Sequence, residues 1–120
     1  MGKALKVDFI GTGNLAWNLA PALERAGASV RYIYSRNPDN AKKLANKLYE
    51  GQVKEDLDFS DCNSDVIIIA VSDVAIDEVA KEVVVDEGVI LAHTSGSIPL
   101  NTLGYSATPN IGVFYPLQTF

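Results

Sequence analysis

The sequence predicts an α/β fold: a doubly wound, mainly parallel sheet of about six strands, with helices on both faces. Three observations lead there. Apolar strand-like runs alternate with stretches of helical periodicity along the whole chain. The run VIIIAV at 66–71 is continuous and largely β-branched, as in a strand covered on both faces. Finally, GTGNLA at 11–16 sits between the first strand-like run and the first helical pattern, where a βαβ unit makes its first turn.

The elements follow in order. Leu5 to Ile10 is a short apolar strand bounded by Gly11. From Asn14, the residues Leu15, Leu19, Ala22, Leu23 and Ala26 share one helix face, and Gly27 supplies the C-terminal cap. Pro21 falls inside this helix, removes one backbone donor and is expected to kink it. Val30 to Tyr34 is the second strand. A second helix begins with Asn37 as N-cap and Pro38 at the first helical position, and carries Ala41, Leu44, Ala45 and Leu48 on its apolar face. Gly51 to Lys54 holds a short third strand, and Val66 to Val71 is the fourth. Asp73 caps a third helix whose apolar face is Ile76, Val79, Ala80 and Val83. Val89 to Ala92 and Ile111 to Phe114 complete the set. Strands joined by helices this regularly pair in parallel through right-handed crossovers. Ligands then bind beyond the carboxyl ends of the strands, which singles out 11–16, 35–37, 70–73, 93–97 and 115–118.

Composition narrows the classes. The 120 residues have room for one domain, 1–120, with a hydrophobic core. The net charge of −5 comes from 15 acidic and 10 basic residues, and the acidic balance argues against a nucleic-acid partner. No apolar run approaches the roughly 20 residues that span a bilayer, so no membrane partner is expected. The lone Cys62 cannot form an intrachain disulfide, which points to a reducing cytoplasm, and it reads as a small buried hydrophobe. No Cys, His or carboxylate cluster has metal-ligand spacing, so no metal is expected. The apolar ending NIGVFYPLQTF suggests that this is the N-terminal part of a longer protein.

Gly11, Gly13 and Ala16 occupy the three positions of a G-x-G-x-x-A turn. The first glycine permits the tight turn, the second lets a pyrophosphate approach the backbone, and the alanine lets helix and sheet pack closely. The helix N-terminus then offers unpaired N–H groups and partial positive charge. A purely structural turn is the alternative. For NAD, such a fold places Asp or Glu at the end of the second strand, on the ribose hydroxyls. Here that position reads Ser35, Arg36, Asn37. A hydroxyl and a guanidinium suit a 2′-phosphate, and a charged hydrogen bond of this kind contributes about 1.5–3 kcal/mol, roughly 10- to 150-fold in affinity. NADP is therefore the expected cofactor, with NADPH favoured over NADH. Lys42 and Lys43 are more simply a solvated helix face.

The segments VDFIGTGNLAWNLAPAL, YSRNPDNAKKLA, SDVIIIAVSDVAIDEVA, LAHTSGSIPL and FYPLQTF together resemble a family of bacterial Rossmann-like NADP-binding oxidoreductases with a helical C-terminal domain. More distantly the chain is similar to pyrroline-5-carboxylate reductases, deazaflavin-dependent NADP reductases, and the β-hydroxyacid and 6-phosphogluconate dehydrogenases. The resemblance covers nearly the whole chain. It implies Gly11, Thr12, Gly13, Asn14 and Leu15 at the pyrophosphate, and Ser35, Arg36 and Asn37 at the 2′-phosphate. It also implies Ala70, Val71 and Ser72 along the nicotinamide ribose. The β-hydroxyacid dehydrogenases carry D-x-S-T-x-x-P after the fifth strand; HTSGSIP keeps Ser95 and Pro99 but has His93 for Asp and Gly96 for Thr. On this likeness His93 and Thr94 contact cofactor, while Ser95, Gly96 and Ser97 face substrate; Tyr115 and Gln118 are expected to face substrate as well, lining the crevice or the interface with a further domain. The catalytic lysine of the β-hydroxyacid dehydrogenases lies on their helical domain, so no general acid carries over. That domain also supplies much of a homodimer interface in related families.

His93, the only histidine, is the one candidate for proton transfer, and a structural hydrogen-bonding role competes with it. Tyr115 reads equally well as packing. Asp77, Glu78 and Glu82 read as a solvated helix surface. The chain is thus expected to bind NADP(H) for hydride transfer with a small carbonyl or imine substrate. A non-catalytic NADP(H) sensor and a ligand-free interaction domain stay open as alternatives.

Overall fold

A computed structural model describes residues 4–60, 62–71, 73–86, 88–93 and 111–113, of which 73, 74, 77 and 111–113 are described in backbone only. The elements run β1 (Lys6–Ile10), α1 (Asn14–Arg25), β2 (Ser29–Tyr34), α2 (Pro38–Ala45), β3 (Gln52–Lys54), β4 (Val66–Ile69), α3 (Asp73–Glu82), β5 (Ile90–His93) and β6 (Ile111–Val113). The six strands form one sheet in the order β3-β2-β1-β4-β5-β6. Every pairing is parallel. This is the doubly wound order, in which the direction of winding reverses between β1 and β4.

The two faces of the sheet bury separate cores, as the strand sequences require. Val7 and Phe9 of β1 and Ile68 of β4 point to the side of α1 and α2, where they pack with Val30, Ile33, Ala41 and Leu44. Ile10, Ile67 and Ile69 point the other way, onto Ile76, Val79 and Ala80 of α3. Alternate β4 side chains thus serve opposite cores, which is why the segment is apolar at every position. Cys62 is buried in the α3-side core.

Helix ends obey local chemistry. At α2, Asn37 Oδ1 accepts from Asp39 N–H at 3.0 Å and Pro38 follows at the first helical position. At the end of α1, Gly27 adopts φ +106°, its N–H bonds Glu24 O at 3.1 Å, and Ala28 N–H bonds Leu23 O at 3.0 Å. That is a Schellman cap. The helix continues through Pro21 to Arg25.

The packing face of α1 differs from the expected one. Ala16 and Ala20 are its fully buried residues, Leu19 and Leu23 are half-buried, and Ala22 and Ala26 are exposed. Close approach of helix to sheet puts small side chains at the contact line and rolls the larger ones to its flanks. α3 begins at Asp73 itself, one position earlier than a capping role there would place it.

One buried polar residue breaks the apolar run of β1. Asp8 is fully buried opposite an irregularity in the β1–β2 register, where the pairing shifts between Val7↔Val30 and Phe9↔Ile33. Its carboxylate accepts from Tyr32 N–H at 3.2 Å, so it satisfies a backbone donor displaced by the bulge. Ser64 Oγ also donates to it, and Arg31 Nε lies 3.9 Å away. Arg31 is anchored by its bond to Cys62 O at 2.6 Å.

Candidate functional site

The carboxyl ends of β1, β2 and β4 meet at one level. Gly11 N–H donates to Tyr34 O at 2.7 Å, and Ala70 N–H donates to Ile10 O at 2.7 Å, so the ladders continue into the loops beyond the strands. A cleft of about 460 Å³ opens there. Its walls are the turn from Gly11 to Leu15, Tyr34 to Arg36 after β2, Ala70 and Val71 after β4, and Ala75, Val79 and Glu82 of α3, with Leu57. The switch point of the sheet is therefore concave, as ligand sites in this architecture are.

The two glycines of the turn do different work. Gly11 has φ +109°, and a Cβ there would lie 2.3 Å from Ala70 O and 2.8 Å from Val71 Cγ1. Gly13 has φ −71°, which any residue adopts, and a Cβ there would meet nothing within 4 Å. The first glycine is demanded by the protein; the second leaves open space in the cleft. No side chain caps α1, and no acidic residue lies in its first turn. Its first amides and the positive end of its dipole thus remain available to an anion. Ala16 is fully buried against the sheet. An open backbone approach and an uncapped helix start fit a diphosphate.

At the end of β2, Ser35 Oγ accepts from Asn37 N–H at 3.3 Å and lies 3.3 Å from Thr12 Oγ1, linking the two loops. Arg36 reaches across the cleft mouth and donates from Nη2 to Glu78 of α3. The two side chains are 71% and 62% exposed, so water screens the pair. Glu78 and Glu82 are thus more than a solvated surface: one engages Arg36 and the other lines the cleft, because Ala75, Glu78, Val79 and Glu82 share one face of α3. Lys42 and Lys43 are exposed.

Nine of the expected positions line the cleft together: Gly11, Thr12, Gly13, Asn14, Leu15, Ser35, Arg36, Ala70 and Val71. Asn37 lies beside it as the cap of α2. His93 is fully buried at the end of β5, paired in register with Ile69 and Val113, and does not line this cleft. Ser72, Thr94, Ser95, Gly96, Ser97, Tyr115 and Gln118 lie outside the described residues. Leu57 escaped the sequence reading because a long-range contact places it: its carbonyl accepts from Val84 N–H at 2.9 Å, beside a bridge between Asp58 and Val84. Tyr34, Ala75 and Glu82 had no motif to mark them, although the strand-end rule and the face of α3 point toward them.

Burial holds the Asp8 carboxyl above the usual carboxylate range, partly offset by the bonds from Ser64 and Tyr32 N–H and by the Arg31 charge. Asp8 lies below the cleft floor and braces β2 ahead of Ser35 and Arg36. Among the described residues, no three His, Cys, Asp or Glu side chains group as a metal site. No helix among them is long and apolar enough to cross a membrane.

Residues 6–94 match the family model for NADP oxidoreductase, coenzyme F420-dependent. The chain belongs to that family. A solved protein from Bacteroides fragilis, assigned as an NADP oxidoreductase, shares 38% identity with this NADP oxidoreductase family member at a TM-score of 0.82. The alignment covers 98% of this chain and 45% of that one, so the chain spans less than half the length of that relative. Two more distant structures share the Rossmann fold. One is a diketoreductase acting on dicarbonyl compounds, at 18% identity and TM-score 0.72, with 96% of this chain and 50% of that one covered. The other is a prephenate dehydrogenase from A. aeolicus solved with NAD+ and hydroxyphenyl propionate, at 20% identity and TM-score 0.68, covering 92% and 41%. Among curated proteins, none matches the sequence significantly.

Proposed function

We propose that this chain is the coenzyme-binding part of an NADP(H)-dependent oxidoreductase that exchanges hydride with a small carbonyl or imine substrate. The observation that carries the reading is the continuity of one cleft from the uncapped start of α1 to the Ser35–Arg36 segment. A 2′-phosphorylated adenosine diphosphate would place its diphosphate at the first of these ends and its 2′-phosphate at the second. In this reading the amides at Gly13, Asn14 and Leu15 hold the diphosphate, with Gly11 and Thr12 shaping the turn. Ser35 and Arg36 hold the 2′-phosphate, because the Ser35 hydroxyl can still donate its proton and Arg36 can fork onto two oxygens. Asn37 stands behind them as the α2 cap. Leu57 and Val79 supply apolar walls for the adenine.

Ala70 and Val71, with Ser72 after them, would run along the nicotinamide end, and the bound nicotinamide supplies the hydride. This chain's residues orient it and exclude water on the sheet side. The second side of a substrate pocket would come from residues beyond the cleft.

The experiment is a titration of the full chain with NADPH and with NADH, followed by nicotinamide fluorescence. NADPH should bind more tightly. Arg36→Gln should weaken NADPH by roughly 10-fold or more and leave NADH unchanged. Equal affinities in the unaltered chain, or no response to Arg36→Gln, would overturn the reading.

A further inference from the structure

Arg36 is the residue expected to grip a 2′-phosphate, yet its guanidinium already holds an anion. We infer that Glu78 is a coenzyme-selecting residue: its carboxylate occupies Arg36 in the place a 2′-phosphate would take and must be displaced when one binds. The inference rests on the proposed NADP(H) reading and adds to it a residue that sets how strongly the 2′-phosphate is preferred.

Three observations support it. First, Arg36 Nη2 donates directly to Glu78 Oε2, and the two residues are 42 positions apart, on β2's exit and on α3, so the pair spans the cleft mouth. Second, Glu82 stands one turn further along the same helix face and lines the cleft. The charged residues of the cleft lining are thus Arg36 and Glu82, with Glu78 bonded to Arg36 beside them. A bare guanidinium would attract a dianionic phosphate without competition; here the incoming phosphate exchanges with Glu78 and meets a second negative charge nearby. Third, both members of the pair are well exposed, so the exchange needs only side-chain rotation and no repacking. Screening also keeps the pair weak enough to displace.

The consequence is specific to one part of one coenzyme. NADH has no 2′-phosphate and does not contest Arg36, so Glu78 should be silent toward it. Adenosine 2′,5′-bisphosphate carries the contested phosphate without a nicotinamide, and so reads this end of the cleft alone.

Full-chain protein, Glu78→Gln and Glu82→Gln would be titrated calorimetrically with adenosine 2′,5′-bisphosphate, NADPH and NADH. Glu78→Gln keeps size and helix propensity while removing the charge. It should tighten the bisphosphate and NADPH by about two- to fivefold, the range expected on freeing an exposed cation from its pair, with NADH unchanged. Its affinity for the bisphosphate should also fall more steeply with salt, since an uncontested guanidinium is now neutralised on binding. Glu82→Gln removes an equal charge without touching Arg36, and should help less. In an Arg36→Gln background, Glu78→Gln should lose most of its effect.

If Glu78→Gln leaves all three ligands unchanged, weakens the bisphosphate, or acts equally on NADH, the inference is wrong. A NADPH preference in the unaltered chain would then still uphold the coenzyme reading. If the unaltered chain binds none of the three, both fall together.

Discussion

Replacing each glycine of the first turn by alanine separates what the fold needs from what the ligand needs. At Gly11 the methyl group would sit 2.3 Å from Ala70 O and 2.7 Å from Ala70 C, both backbone atoms that cannot step aside. The residue must also keep φ near +109°, a region open essentially to glycine alone. Strained backbone of this kind costs about 1–3 kcal/mol, and overpacking a tight contact costs about 1–3 kcal/mol more. Gly11→Ala should therefore lose about 2–5 kcal/mol of unfolding free energy, a large share of a small domain's stability. At Gly13 the methyl group meets no protein atom within 4 Å, and φ −71° suits alanine. Alanine is a poorer helix N-cap than glycine but less floppy when unfolded, and the two effects offset to within about 1 kcal/mol. The same methyl group would occupy the space through which a diphosphate reaches the α1 amides. Loss of one or two charged hydrogen bonds then predicts at least about a 10-fold weaker NADPH. Urea unfolding and a fluorescence titration on both variants supply the comparison. The reasoning fails if Gly13→Ala is destabilised as much as Gly11→Ala, or folds normally and binds NADPH as tightly as the unaltered chain.

Two further expectations concern the supports of the site. Burial, ahead of all else, raises the Asp8 pKa in the folded chain above its unfolded value near 3.8, so the folded state holds more protons between those two values. Stability contributed by Asp8 is thus fully present below about pH 3.8 and is lost as pH rises through the folded pKa, then stays level. Asp8→Asn cannot titrate but keeps an acceptor for Tyr32 N–H; its stability relative to the unaltered chain should improve as pH rises through that window, and a pH-independent difference in urea unfolding would contradict this. Asn37→Ala removes the bond to Asp39 N–H and should cost about 1 kcal/mol of stability in the same assay, whereas Asn37→Ser should recover most of it; equal losses in the two variants would show that the cap is not the cause.

How far these features can be read in the sequence depends on the range of the interactions behind them. Chain-local chemistry was legible: Asn37 with Pro38, Gly27, and the alternation of Ile67, Ile68 and Ile69 all depend on neighbours a few residues away. On α1 the glycine turn marks Ala16 for close packing on the sheet, but periodicity alone points to Ala22 and Ala26, which are exposed, and passes over Ala20, which is fully buried. Leu57 was missed because its place depends on Val84, far along the chain. Asp8 is the one acid in β1, flanked by the apolar Val7 and Phe9, and its meaning requires knowing that β2 bulges opposite it.

By itself, then, the order of residues determined the doubly wound sheet, the glycine turn, and the presence of Ser35 and Arg36 where the second strand ends. Periodicity, turn chemistry and right-handed crossover are enough to specify these, since each follows from local sterics or from the handedness of the chain. Only the tertiary structure decided that Gly11 is clamped against Ala70 while Gly13 faces open space, and that Arg36 is held by Glu78. Those are relations between segments brought together by packing, and the distance between two atoms on different elements exists only once the helices have docked on the sheet.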